Sequence, residues 1–174
     1  MRRWQPAYVG IGSNLEDPRR QVLRACERLA GLPETLAVCR SPLYGSRPFG
    51  PVAQPDFVNA VAGLLTRLDA DGLFAALKAL ESALGRTPGG PRWGPRLIDL
   101  DLLVFGRECR EGPQLRLPHP GIVERNFVLY PLGDIAPDLD VPGLGRVSEL
   151  RARLTPEGLW PLEPQSLSPD VRSM

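Results

Sequence analysis

Residues 92–105 read Arg92-Trp93-Gly94-Pro95-Arg96-Leu97-Ile98-Asp99-Leu100-Asp101-Leu102-Leu103-Val104-Phe105. The half from Leu97 to Phe105 is rich in branched and aromatic residues and stops at Gly106, which predicts a strand. Side chains alternate along a strand, so Ile98, Leu100, Leu102 and Val104 share one face and Asp99 and Asp101 the other, with Cα atoms roughly 6.5–7 Å apart. Two carboxylates that close repel each other unless a cation lies between them. Oxygen-only ligands suit Mg²⁺, which takes one or two carboxylates together with phosphates and water. Arg92 and Arg96 stand just upstream, and guanidinium is the side chain best shaped for phosphate. The plainer reading, a solvated acidic face neutralised by nearby arginines, stays open on these residues alone. Trp93-Gly94-Pro95 weighs against it, because a rigid turn with a large indole is more than a simple lead into a strand requires.

Working outward, Tyr8 to Ile11 predicts a short strand that runs into the turn-forming Gly12-Ser13-Asn14, which lacks the spacing and lysine of a phosphate-binding P-loop. Asp17 caps a helix with Pro18 at its first position, and Val22, Cys26 and Leu29 repeat at helical spacing before Gly31. Leu36 to Tyr44 predicts a second strand, Gly45 to Pro55 a loop, and Phe57 to Leu68 a long strand. Asp69 or Asp71 caps a second helix with the apolar stripe Leu73, Leu77, Leu80 and Leu84. Thr87 to Pro91 is a flexible loop leading to the acidic strand. The order β-α-β-β-α-β is the split unit of ferredoxin-like α+β folds, an antiparallel sheet with helices on one face. Leu115 to Leu117 is expected to add a short edge strand or hairpin, and a short helix over Ile122 to Tyr130 to end at Pro131.

With 174 residues, 43% hydrophobic and 24% charged, the chain reads as one soluble globular domain over residues 1–160, followed by a loose tail over 161–174. A net charge of +1 supplies no field to recruit nucleic acid or anionic membrane. The absence of an 18-residue apolar run, of a signal-peptide core after Met1-Arg2-Arg3-Trp4, and of any cysteine framework among Cys26, Cys39 and Cys109 makes the cytoplasm the expected location.

Four blocks in order resemble the 6-hydroxymethyl-7,8-dihydropterin pyrophosphokinase family: Tyr8 to Leu15, Gly50 to Asn59, Arg92 to Asp101, and Leu117-Pro118-His119-Pro120 through Phe127. The resemblance covers about Tyr8 to Leu139. It implies transfer of pyrophosphate from ATP to a pterin alcohol, with Asp99 and Asp101 holding two Mg²⁺ ions and Arg86 and Arg96 clamping the phosphates. It further implies ATP contacts from Glu81, Arg92, Ile98, His119 and Arg125. Phe57 and Phe127 would sandwich the pterin, Asn59 would bond its edge, Ser46 and Phe49 would complete the pocket, and Trp93 would close over it. The partners expected are these small molecules, without nucleic acid or membrane, for a monomer or weak homodimer. Thr87 to Pro91 lacks the basic residues that family members often carry there, which leaves the clamp to Arg86, Arg92 and Arg96.

Each position also has a structural alternative: core packing for Phe57 and Phe127, a helix cap for Arg86, and a surface pair for Glu81 with Lys78. Two rival functions remain. A nucleotidyltransferase pairs Gly-Ser with Asp-x-Asp on adjoining elements, whereas Ser13 and Asp99 are far apart in this chain. An RNA-recognition module shares the topology but presents aromatic and basic groups on its sheet, not two aspartates.

Overall fold

The chain's longest strand, Phe57–Thr66 (β4), runs Phe-Val-Asn-Ala-Val-Ala-Gly-Leu-Leu-Thr, apolar on both faces, and both faces are covered. The computed structural model describes residues 2–164. Its order is β1 (Gln5–Ser13), α1 (Pro18–Leu29), β2 (Thr35–Arg40), β3 (Tyr44–Ser46), β4, α2 (Ala70–Ala83), β5 (Asp99–Phe105), β6 (Arg110–Glu111) and β7 (Arg116–Leu117). After these come α3 (Asn126–Ile135), β8 (Asp140–Val141), β9 (Gly145–Arg146), α4 (Val147–Ala152) and β10 (Leu159–Pro161). All pairings are antiparallel. The main sheet runs β10-β3-β4-β1-β5, with β2 also on β4, so β1 is central and β5 is outermost.

The split βαβ unit and its antiparallel sheet are as expected. Both helix caps form as read: the Asp17 side chain accepts from the Arg20 amide at 3.3 Å and that of Asp69 from the Gly72 amide at 2.8 Å. Val22, Ala25 and Leu29 of α1, Leu73, Leu77 and Leu80 of α2, and Leu84 just past its end pack on one sheet face against Val9, Ile11, Ala62 and Leu100. On the opposite face α3 and α4 add a second core, in which Val128, Leu129, Leu132 and Leu150 meet Val61, Leu103 and Val104.

Several boundaries differ from expectation, each for a physical reason. The strand expected over Leu36 to Tyr44 breaks at Ser41-Pro42-Leu43. There the Ser41 amide donates to the Val61 carbonyl and its Oγ accepts from the Val61 amide, both at 2.9 Å, in place of the ladder that Pro42 cannot continue. The acidic strand begins at Asp99, not Leu97, and Leu103 is its bulge: Tyr8 pairs with Val104 and Val9 with Leu102. The extra residue sends Val104 to the second core, away from Leu100 and Leu102. The third helix starts at Asn126 and runs through Pro131 to Ile135. Burial of Val128, Leu129 and Leu132, about 1.5–3 kcal/mol each, outweighs the roughly 3 kcal/mol of an internal proline. Of the edge strand or hairpin expected over Leu115 to Leu117, the hairpin forms: Leu117 pairs with Arg110 in the separate β6–β7 hairpin. The segment expected to be loose from 161 is paired at its start. Pro161 lies opposite Tyr44 and the Leu162 amide donates to the Leu43 carbonyl at 2.9 Å; residues 165–174 lie outside the described residues.

Candidate active site

Gly12 of β1 lies opposite Asn59 on one side and opposite Asp99 on the other. Paired residues point to the same face, so Asn59, Gly12 and Asp99 form a row across three strands, about 10 Å from end to end at the usual strand spacing. Gly10 stands in the same way between Val61 and Asp101. The two glycines leave a floor without side chains beside both carboxylates; a Cβ on Gly12 would come within 3.2 Å of Asn59 Oδ1. Above this floor is a cleft of about 180 Å³. Ser46, Phe49, Phe57, Asn59, Trp93, Arg96, Asp99, Asp101, Arg125 and Phe127 all line it, as do Gly10, Gly12 and Gln54.

The two aspartates share a face, as the spacing predicts, but differ in surroundings. Arg86 donates to Asp99 Oδ1 at 2.8 Å and to Glu81 Oε2 at 2.6 Å. Asp101 has no ion pair among the described residues. Its carboxyl is pushed up to about 7, first by burial and then by the charge of Asp99, with Lys78 and Arg125 opposing. A lone, poorly solvated carboxylate beside a second one suits a hard cation, and the donor set of two carboxylate oxygens with open space above fits Mg²⁺ completed by phosphate and water.

Glu81 is 3% exposed and sits outside the cleft lining. Its Oε1 accepts from the Leu100 amide at 2.7 Å and from Lys78 Nζ at 3.0 Å, while Lys78 also donates to the Leu100 carbonyl at 3.1 Å. The surface-pair reading therefore fails: these two α2 side chains grip β5 between the aspartates. Ile98 is fully buried in the first core, so its side chain is unavailable to a ligand. Arg92 is exposed, with its guanidinium 5.4 Å from the Trp93 ring. His119 is partly buried, not exposed as its flanking prolines suggest. Its Nδ1 accepts from the Gly121 amide at 3.1 Å, and burial followed by the charge of Arg125 pulls its pKa down to about 4. The imidazole is neutral near pH 7, with Nε2 as its donor.

Asn59 donates to Ser46 Oγ at 2.7 Å, which answers how a mid-strand amide is satisfied. Phe49 and Trp93 rings are 5.5 Å apart, and Phe49 and Phe127 6.3 Å, forming an aromatic wall. Trp93 is held in the left-handed region at φ 67°, with the Gln54 side chain donating to its carbonyl at 2.5 Å. Gln54 in turn accepts from Asn14 Nδ2 at 2.9 Å, and Asn14 donates from the same nitrogen to the Pro55 carbonyl at 2.9 Å. Asn14 Oδ1 accepts from the Arg96 amide at 2.8 Å, while the Asn14 amide donates to the Arg96 carbonyl at 3.0 Å. Asn14 thus ties three separate loops together. From the sequence alone Asn14 is a turn residue, and Gln54, Gly10 and the partners of Lys78 have no assigned part. The signal for Gly10 and Gly12 was present: glycine is out of place in a central strand unless something approaches closely.

The sequence matches the family model for 7,8-dihydro-6-hydroxymethylpterin-pyrophosphokinase (HPPK) over residues 8–137. It is 48% identical over 155 residues to a 2-amino-4-hydroxy-6-hydroxymethyldihydropteridine pyrophosphokinase of Pseudomonas aeruginosa, covering 89% of this chain and 95% of that one. To the protein of the same name from Haemophilus influenzae it is 38% identical over 158 residues, covering 91% and 98%. Among solved structures, the wild-type HPPK-DHPS of Plasmodium falciparum with pteroate matches with a TM-score of 0.67 at 14% identity. That match covers 87% of this chain and 42% of the longer one, so the chain spans under half the length of such structures. The similarity there concerns the fold.

Proposed function

The chain belongs to the 7,8-dihydro-6-hydroxymethylpterin-pyrophosphokinase family, and from that premise we propose how its cleft works. The protein is an ATP-dependent transferase that moves pyrophosphate from ATP to 6-hydroxymethyl-7,8-dihydropterin, releasing AMP, in folate biosynthesis. Family membership sets aside the nucleotidyltransferase and RNA-module readings. The observation that carries the site assignment is the row Asn59–Gly12–Asp99.

A flat pterin lying over Gly12, its edge bonded by Asn59 and Ser46 and its faces against Phe57 and Phe127, extends its hydroxymethyl arm toward Asp99. The span of about 10 Å between the row's ends matches a bicyclic ring plus one carbon. Asp99 and Asp101 would hold two Mg²⁺ ions, which would neutralise charge on the phosphates when bound. Arg86 is held by Glu81 and Asp99 through one guanidinium nitrogen, and Arg96 is anchored to Asn14 by its backbone, so both reach the phosphates from fixed starting points. His119 Nε2–H and Arg125 donate to the nucleotide. Trp93 and Phe49 exclude water from the reacting oxygens. In-line attack of the hydroxyl oxygen on the β-phosphorus forms the new P–O bond as the bond to the AMP oxygen breaks. Positioning and charge supply the rate.

The test is positional. ATP labelled at the γ-phosphate should yield unlabelled AMP and a labelled diphosphate ester. ADP with a labelled monophosphate ester would mean γ-attack and would overturn the assignment. Loss of turnover on chelation, restored by added Mg²⁺, tests the metal separately.

A further inference from the structure

Arg125, just before α3, holds its guanidinium carbon 6.0 Å from the ring centre of Phe49, 5.9 Å from that of Trp93 and 5.8 Å from that of Phe127. A cation nearly equidistant from three aromatic rings is drawn there by their quadrupoles. Among the described residues it makes no ion pair, so the attraction to the Asp101 carboxylate across the cleft does not draw it into contact. Room for this pose comes from Gly121, where an added Cβ would meet Arg125 Cζ and Nε at 2.7 Å each. Any other residue at 121 pushes the guanidinium off the rings.

Of these rings Phe127 is one of the two placed above against the pterin's faces, while Phe49 and Trp93 close the same cleft, and the proposal rests on that assignment. The pyrimidine edge of a pterin contains a planar carbon bearing three nitrogens, the same unit as a guanidinium. We propose that Arg125 is an internal stand-in for the substrate, its guanidinium filling the aromatic slot of the free protein until a flat guanidine-bearing ring displaces it. Gly121 is then a positioning residue that admits the stand-in. The slot stays open to the width of one planar group instead of collapsing, and ligands without that plane are outcompeted by the tethered arginine. Affinity for the pterin alone is lowered by the fraction of time the slot is filled.

The test titrates the pterin alcohol into nucleotide-free, metal-free protein and reads tryptophan emission, for wild type, Arg125→Ala, Gly121→Ala and Asn59→Ala. Cooperative thermal melting checks each fold, and Arg125→Met, which keeps the stem, replaces Arg125→Ala should that variant melt without a transition. Both Arg125→Ala and Gly121→Ala should bind the pterin about fivefold tighter, the scale of one exposed cation–π contact. Methylguanidinium at millimolar concentration should compete with the pterin in Arg125→Ala, restoring the missing plug. Unchanged or weaker binding in both variants overturns the stand-in. Tightening in Arg125→Ala alone supports the stand-in and overturns the part given to Gly121. Asn59→Ala separates the two levels: if it weakens binding while the other variants change nothing, the slot stands and the stand-in falls. If it too leaves binding unaltered, the slot assignment itself is wrong.

Discussion

Replacing Asn14 should loosen the cleft by a path that can be followed bond by bond. The side chain is 2% exposed and makes three hydrogen bonds, accepting from the Arg96 amide and donating to Gln54 and the Pro55 carbonyl. Asn14→Leu keeps the branched outline and loses all three, at about 1 kcal/mol each, so a loss of about 3 kcal/mol is expected. For a chain of this length that lowers Tm by about 6–12 °C. Asn14→Asp is the more informative variant. It still accepts from Arg96, but Gln54 must turn its amide to donate to the new carboxylate, and its single NH₂ then leaves the Trp93 carbonyl. The strained backbone of Trp93 is released, and the buried carboxylate facing the Pro55 carbonyl destabilises the fold as well. Urea midpoints give the stability, and tryptophan emission, with Trp4 and Trp160 as constant background, reports Trp93. The reasoning is refuted if Asn14→Leu loses under 1 kcal/mol, or if Asn14→Asp leaves the Trp93 signal where it was.

Asp99→Asn and Asp101→Asn should each abolish turnover with the fold intact, and near-normal activity at saturating Mg²⁺ would sink the metal assignment. In chelator, Asp101 has a folded pKa raised to about 7 from 3.8, so the native state binds the extra proton and wild-type stability falls as pH rises from about 4 to 7. Asp101→Asn should lack that slope and be the more stable protein at pH 8, measured by thermal melting across pH. His119 runs the other way: its folded pKa is lowered to about 4, so stability is lost as pH falls from about 6.5 to 4. His119→Gln should flatten that fall by about 1–2 kcal/mol once solvent screening is allowed for, read from urea midpoints at pH 7 and 4.5. Hydrogen exchange over residues 86–96 should slow when an ATP analogue and the pterin are both bound, and equal protection in free and ternary states would remove the idea of a closing loop.

What could be read from the sequence is what local chemistry decides. Asp17-Pro18 and Asp69 announce their helices because a cap acts within three residues, and Asp99 and Asp101 share a face because alternation is a property of any strand. The features that escaped depend on partners distant in the chain. Asn14 meets Gln54 40 positions away and Arg96 82 away, so nothing beside it in the sequence marks it as more than a turn residue. Pro131 reads as a stop until the second core is known to bury its neighbours. The Leu103 bulge is set by β1, not by its own residues, and it alone moved Val104 across the sheet. Glu81 and Lys78 have helical surface spacing, and only the approach of β5 turns them inward.

That grip on Leu100 has a consequence for the protein in a crowded solution. A sheet's outermost strand offers its unpaired amides and carbonyls as a template, and a passing chain can extend the ladder. Here the outermost strand also carries the aspartates, so its edge runs beside the site. The Glu81 carboxylate and the Lys78 ammonium occupy the Leu100 amide and carbonyl as a neighbouring strand would, with an acceptor for one and a donor for the other. Charged, anchored in a helix and two atoms wide, they block polymerisation at the one edge that must stay accessible to substrate. Loss of Glu81 should therefore surface as aggregation at concentrations where the wild-type chain stays monodisperse.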